Sequence, residues 1–176
     1  MSTHATGPVA WPAVDTTRWR IDPARSSVEF HVKGFWGMAT VKGRFSRYHG
    51  TLDLSTQPAI ELTIEADSVD TTNEKRDTHL RSPDFFDAEQ HPYIRFVSDS
   101  ATFDAECLHV RGRLHARGSS IPLELDATLR RIGDDLEVEA ATEADHRQLG
   151  MSWNRLSMIR TPTKLMVTGR LVRDAA

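Results

Sequence analysis

The sequence predicts an all-β domain of about eight or nine antiparallel strands, arranged as a sandwich or a closed barrel. Three observations predict it: apolar residues alternate with polar ones in run after run, turn residues punctuate those runs at regular intervals, and the 3.6-residue helical period is nearly absent. The first run sets Val28, Phe30 and Val32 against Glu29, His31 and Lys33. Val41-x-Gly43-x-Phe45 follows, then a strand over residues 51–54, then Ile60-x-Leu62-x-Ile64-x-Ala66. Ile94-x-Phe96, Leu108-x-Val110-x-Gly112-x-Leu114 and Ile121-x-Leu123-x-Leu125-x-Ala127-x-Leu129 carry the pattern through the middle of the chain. Leu136-x-Val138-x-Ala140 and Leu165-x-Val167-x-Gly169-x-Leu171 complete it. Each run has one apolar and one largely charged face, as half-buried antiparallel strands require. Gly118-Ser119-Ser120 and Gly133-Asp134-Asp135 supply hairpin turns. Gly43, Gly112 and Gly169, inside strands, suit bends where a sheet curls.

One segment departs from alternation. Thr71-Thr72-Asn73-Glu74 reads as a capping box with Thr71 as N-cap, opening a short polar helix whose one large apolar residue is Leu80. Pro83-Asp84-Phe85-Phe86-Asp87 then reads as a second turn. Such a helix fits across the end of a barrel.

Composition bounds the function. The chain has 176 residues, 39% hydrophobic and 27% charged, enough for one packed domain. No stretch approaches the roughly 18 to 20 apolar residues of a membrane-spanning helix. Lys and Arg number 22 against 25 Asp and Glu, a net charge of −3 that argues against a nucleic-acid partner. The single cysteine, Cys107, has no internal disulfide partner. Residues 1–18 lack a positive start and an apolar run, and read as a flexible arm ahead of one domain over 19–174. A cytoplasmic location is the corresponding expectation.

The eight histidines include no His-x-x-x-His pair, so no metal site is expected; no Gly-x-Ser-x-Gly elbow or phosphate loop is present, so no catalytic residue is assigned. Three clusters remain. Residues 76–87 mix Arg76, Asp77, His79, Arg81 and Asp84 with Phe85 and Phe86. Residues 149–154 with Met158 and Ile159 form the second, and Phe35-Trp36-Gly37-Met38 the third. Met and aromatic residues at strand ends cap a core or build an adaptable apolar pocket.

Trp19-x-Ile21-Asp22-x-x-x-Ser26-x-Val28-x-Phe30 resembles the opening of the YceI-like family of polyisoprenoid-binding, lipocalin-like proteins. Ser68-Val69-Asp70-Thr71 through Arg76-Asp77-x-His79-Leu80-Arg81-Ser82-x-Asp84-Phe85-Phe86-Asp87, then Pro92-x-Ile94-x-Phe96, is similar to that family's most distinctive stretch. Leu149-Gly150-Met151-Ser152-Trp153-Asn154 matches in order and spacing. The resemblance runs over residues 19–173. It implies an extended eight-stranded antiparallel lipocalin-like β-barrel with a short helical insertion near residues 72–87. It further implies non-enzymatic binding, transport or storage of an isoprenoid or similar long-chain lipid, of quinone or polyprenyl type, with no cofactor beyond that lipid.

On this reading Phe30, Val32, Phe45, Ile64, Ile94 and Phe96 form the cavity wall. Phe35, Trp36, Phe85, Phe86, Leu149, Met151, Trp153, Met158 and Ile159 line the mouth and upper wall. Arg76, His79 and Arg81 meet a polar head, and Asp77 orients the arginines. Two other readings stay open: a hydratase or isomerase using His79 beside Asp77 on a lipid-like substrate, and a stress-associated barrel filled by its own side chains. An isolated edge strand would favour a homodimer.

Overall fold

The alternating runs fold into a ring. The computed structural model describes residues 18–34, 38–151 and 159–175, with the backbone alone for 159–161. The strands are β1 (Arg18–Ile21), β2 (Ser27–Gly34), β3 (Ala39–Phe45), β4 (Tyr48–Asp53), β5 (Ala59–Glu65) and β6 (Val69–Asp70). After helix α1 (Glu74–Arg81) come β7 (Tyr93–Asp104), β8 (Cys107–Ala116), β9 (Ser119–Ile132), β10 (Asp135–Ala144) and β11 (Ile159–Arg173).

These segments make eight staves, because three staves are each broken once. β1 and β2 flank a 3-10 turn at Pro23–Arg25, where proline has no N–H to give a ladder and the Asp22 carboxylate accepts from the Ala24 N–H at 3.1 Å. Residues 46 and 47 separate β3 from β4. A 3-10 turn at Ala66–Ser68 separates β5 from β6, and the Ser68 hydroxyl bridges the two breaks: it donates to the Glu65 carbonyl at 2.7 Å and accepts from the Arg47 N–H at 3.1 Å. Every pairing is antiparallel, and β11 closes the ring by pairing with β10 on one side and with β2 and β1 on the other. Leu165 lies opposite Phe30, and Trp19 opposite both Arg173 and Leu52. The result is a closed eight-stranded barrel, as expected. Some strand sides stay without a ladder partner among the described residues: β3 over 39–43, β7 beyond Val97 on its β5 side, and β9 before Asp126 on its β10 side.

Turn chemistry matches backbone geometry. Arg117 and Gly118 both have positive φ, +52° and +71°, the requirement of a two-residue type I′ hairpin turn between β8 and β9. Gly43 is demanded by a close approach instead. It sits directly opposite Phe30, whose ring lies across it, so any Cβ there would overlap the ring.

The helix begins later than the capping-box reading places it. Asn73 is the N-cap, its side chain accepting from the Arg76 N–H, and Glu74 is the first helical residue. Thr71 is buried and otherwise engaged: its N–H and hydroxyl both donate to Asp77 Oδ1. Asparagine caps as well as threonine does, which freed Thr71 for this contact. The expected arm lies outside the described residues, apart from Arg18, which already belongs to β1.

The tightest packing lies at the end where β1 starts and β11 finishes. Trp19, Leu108, Leu129 and Leu136 are all 1% exposed or less. The opposite end carries α1, the 117–118 turn and the 3-10 turn His146–Leu149.

Candidate functional site

Packing is dense around Trp19, Leu108, Leu129 and Leu136 and looser above them. Val32, Leu62, Leu125, Ala140, Leu165 and Val167 all point inward by strand alternation, yet each is only half-buried. They face a cavity of about 680 Å³ in the barrel interior, within the 300–1,000 Å³ span roughly typical of ligand pockets. Exposed Asn73 and Lys75 on the α1 segment also line it, so the cavity meets the surface at the helix end.

Of the residues expected to form the wall, Phe30, Val32, Phe45, Ile64, Ile94 and Phe96 all line this cavity, and so do Phe85, Phe86, Leu149 and Met151. Phe30, Phe45 and Phe86 form an aromatic trio with ring centroids 5.6, 5.7 and 6.4 Å apart, two of the three contacts edge-on. This trio ties the helix-end turn to two staves. Arg117 adds a second tie, its Nη1 donating to the Phe85 carbonyl at 2.8 Å. Phe35, Trp36, Trp153 and Met158 lie outside the described residues, as does the Ile159 side chain.

The polar candidates divide. Arg76 lines the cavity; its Nε and Nη2 donate to the Thr71 hydroxyl and carbonyl, each at 2.8 Å, and Nη1 has no hydrogen-bond partner among the described residues. His79 also lines it, with Nε2 3.0 Å from Asp84 Oδ2 and its ring edge-on to Phe85. Arg81 does not line the cavity. Its guanidinium donates to the Asp67 and Val69 carbonyls at 2.8 and 3.1 Å, stapling α1 to the broken stave, because those carbonyls lie where the stave leaves the ladder. Asp77 orients Thr71 directly and meets Arg76 only through it.

The sequence reading omits the facing part of the wall. Leu114, Leu123, Leu125, Val138, Ala140, Leu165 and Val167, from β8 to β11, complete the ring. Their period-two alternation was the available signal. His146 and Thr163 had no such signal. His146 Nδ1 lies 2.9 Å from Thr163 Oγ1, and both residues line the cavity.

Burial pushes the His146 imidazole below its ordinary 6.5, against the weaker pull of Asp145. A histidine held neutral in the fold binds fewer protons than in the unfolded chain, so its contribution to stability is present above about pH 6.5 and is lost as pH falls below it. Melting temperature measured against pH should therefore begin to fall below about 6.5. In His146→Gln, which can still bond Thr163 but cannot titrate, that first decline should vanish. The later decline should remain, since Asp70 and Asp145 are held below the usual carboxylate range, Asp70 by the Thr72 N–H and Arg44 and Asp145 chiefly by Arg147. Identical profiles for the two proteins would rule out a His146 held neutral by its half-buried setting.

Residues 19–171 match the family described as YceI-like domain. In sequence, a UPF0312 protein of Pectobacterium carotovorum subsp. carotovorum is 36% identical over 112 residues, covering 61% of this chain and 58% of that protein. The chain thus matches little more than half the length of that relative. In structure, BcnA of Burkholderia cenocepacia superposes with a TM-score of 0.79 at 16% identity, over 86% of this chain and 99% of the other. A polyisoprenoid binding domain from Saccharophagus degradans superposes with a TM-score of 0.73 at 13% identity, over 90% and 99%. At these identities the two neighbours share the fold.

Proposed function

The chain belongs to the YceI-like domain family, and from that premise we propose that its barrel binds and carries or stores a long-chain isoprenoid lipid, of quinone or polyprenyl type, without altering it. The observation that carries this reading is the cavity itself: about 680 Å³, walled by aliphatic and aromatic side chains and polar mainly toward the helix end. At about 30 Å³ per water-sized atom, it accommodates on the order of 20 heavy atoms, or about four isoprene units. At about 0.8 kcal/mol per buried carbon, such a chain gains roughly 16 kcal/mol of gross transfer energy. That exceeds the roughly 4–15 kcal/mol cost of association. The polyisoprenoid binding named for the Saccharophagus degradans domain is consistent with this ligand class.

The polar end of the ligand sits near Arg76 and the His146–Thr163 pair. Arg76 Nη1 supplies donors to a carbonyl or phosphate oxygen. The hydratase or isomerase reading loses the pair it started from, since His79 meets Asp84 and Asp77 meets Thr71. A barrel filled by its own side chains is disfavoured by the void.

Native mass spectrometry of the purified full chain, followed by solvent extraction, tests the proposal. The expected result is a discrete added mass released as a prenyl quinone or polyprenyl species, or its appearance on addition of a geranylgeranyl-length chain. A bare mass that ignores added isoprenoids of every length overturns it.

A further inference from the structure

The outer face of the barrel gathers a second group of chemically capable side chains. Cys107 and His109 are two residues apart on β8 and so project from the same side, opposite to buried Leu108 and Val110. Asp126 on β9 is the direct register partner of His109. One donor atom from each of the three lies within 4.8 Å of the other two. His109 Nδ1 is 2.5 Å from Asp126 Oδ1, and Cys107 Sγ is 4.0 Å from His109 Nδ1. Spacing along the chain gives no sign of this set, because on a sheet the third donor arrives from the neighbouring strand.

We propose that Cys107, His109 and Asp126 form a three-donor site for a divalent transition metal of the zinc, cobalt or nickel type. With bonds of about 2.0–2.3 Å, donors around a tetrahedral ion lie roughly 3.3–3.7 Å apart. The sulfur–nitrogen separation is somewhat longer than that and the nitrogen–oxygen separation shorter. Both adjust by side-chain rotation of His109 and Asp126, which are exposed, while the backbone positions stay fixed by the ladder on both sides of β8. A sulfur, an imidazole nitrogen and one carboxylate oxygen suit a borderline or soft cation; magnesium and calcium take all-oxygen sets.

Charge points the same way. Arg111 on β8 and Arg130 on β9 pair with other acids: Arg111 lies 3.1 Å from Glu124, and Arg130 lies 3.9 Å from Glu106. Asp104, the register partner of Cys107, brings another carboxylate to the same face. Among the described residues the group therefore has no lysine or arginine of its own. On binding, the Cys107 thiol releases its proton to solvent, His109 shifts its proton from Nδ1 to Nε2 so that Nδ1 offers a lone pair, and water ligands leave the ion as the three bonds form, with no change of oxidation state. The fourth position falls to water or Asp104. The site lies on the opposite side of the sheet from the cavity, so it stands or falls independently of lipid binding.

Cobalt(II) titration of the untagged full chain, its thiol first shown to be reduced, tests this. The expected result is a near-ultraviolet sulfur-to-cobalt charge-transfer band with tetrahedral visible bands, saturating at one equivalent and displaced by zinc. Cys107→Ser should lose the charge-transfer band, and Asp126→Asn should weaken cobalt binding at least tenfold. Both substitutions are on the barrel's outer surface, and unchanged melting temperatures without metal would verify the fold. No charge-transfer band in the wild type, a band untouched by Asp126→Asn and by His109→Ala, or saturation at half an equivalent (one ion shared by two copies) would each overturn the single-chain site.

Discussion

Phe45→Arg should reduce lipid binding by at least about 100-fold, the effect of placing an unpaired charge where several kcal/mol of desolvation cannot be recovered. Phe45 is buried between Phe30 and Phe86 and lines the cavity. An arginine there loses both aromatic contacts, and its guanidinium can reach water only through the space a lipid chain would fill. That same space lets the variant fold, since the charge can remain hydrated in the empty barrel; a native-like circular dichroism spectrum checks this. Ala140→Phe provides the uncharged counterpart. Ala140 is half-buried on the wall, paired with Ala127 and Val167, and a phenyl ring there projects into existing void. Binding should weaken while the melting temperature holds or rises, because the added ring fills a cavity. A folded Phe45→Arg that binds a fluorescent prenyl probe as the wild type does would place the lipid outside the barrel.

The two variants sit on walls that were unequally legible. Strand alternation marks both, but the sequence reading names Phe30, Val32, Phe45, Ile64, Ile94 and Phe96 as the wall and leaves the facing side out. Leu125, Ala140, Leu165 and Val167 read as ordinary core. Only closure of the ring, with β11 paired to β2, turns that core into lining, and closure is a long-range fact absent from local pattern. The helix end shows the same limit at shorter range. Asn73 and Thr71 are both good caps, and the choice between them rested on where Asp77 lies in space. Arg81 sits in a charged run that reads as a ligand clamp, yet the carbonyls it binds are orphaned by a stave break that sequence does not reveal. His146 and Thr163 are 17 residues apart and meet only because β10 and β11 are neighbours.

The second large effect concerns the sealed end. Trp19 is 0% exposed, set between the staves that carry Leu52 and Arg173, and it closes the barrel below the cavity floor. Trp19→Ala should destabilise the protein by about 3–5 kcal/mol, the range for removing a fully buried large aromatic. At about 2–4 °C per kcal/mol for a chain of this size, the melting temperature should drop by roughly 6–20 °C. Trp19→Phe should cost less than half as much, for a specific reason. The indole Nε1 is buried without a hydrogen-bond partner among the described residues, a state that costs about 1–3 kcal/mol and that phenylalanine removes. The smaller ring gives up some packing but no longer buries an unsatisfied donor. The alanine variant should also lengthen the cavity toward the sealed end, so the longest prenyl chain it retains in native mass spectrometry should grow. Equal losses for Trp19→Phe and Trp19→Ala, measured by urea unfolding, would mean that the indole N–H is satisfied in solution and that its burial carries no penalty.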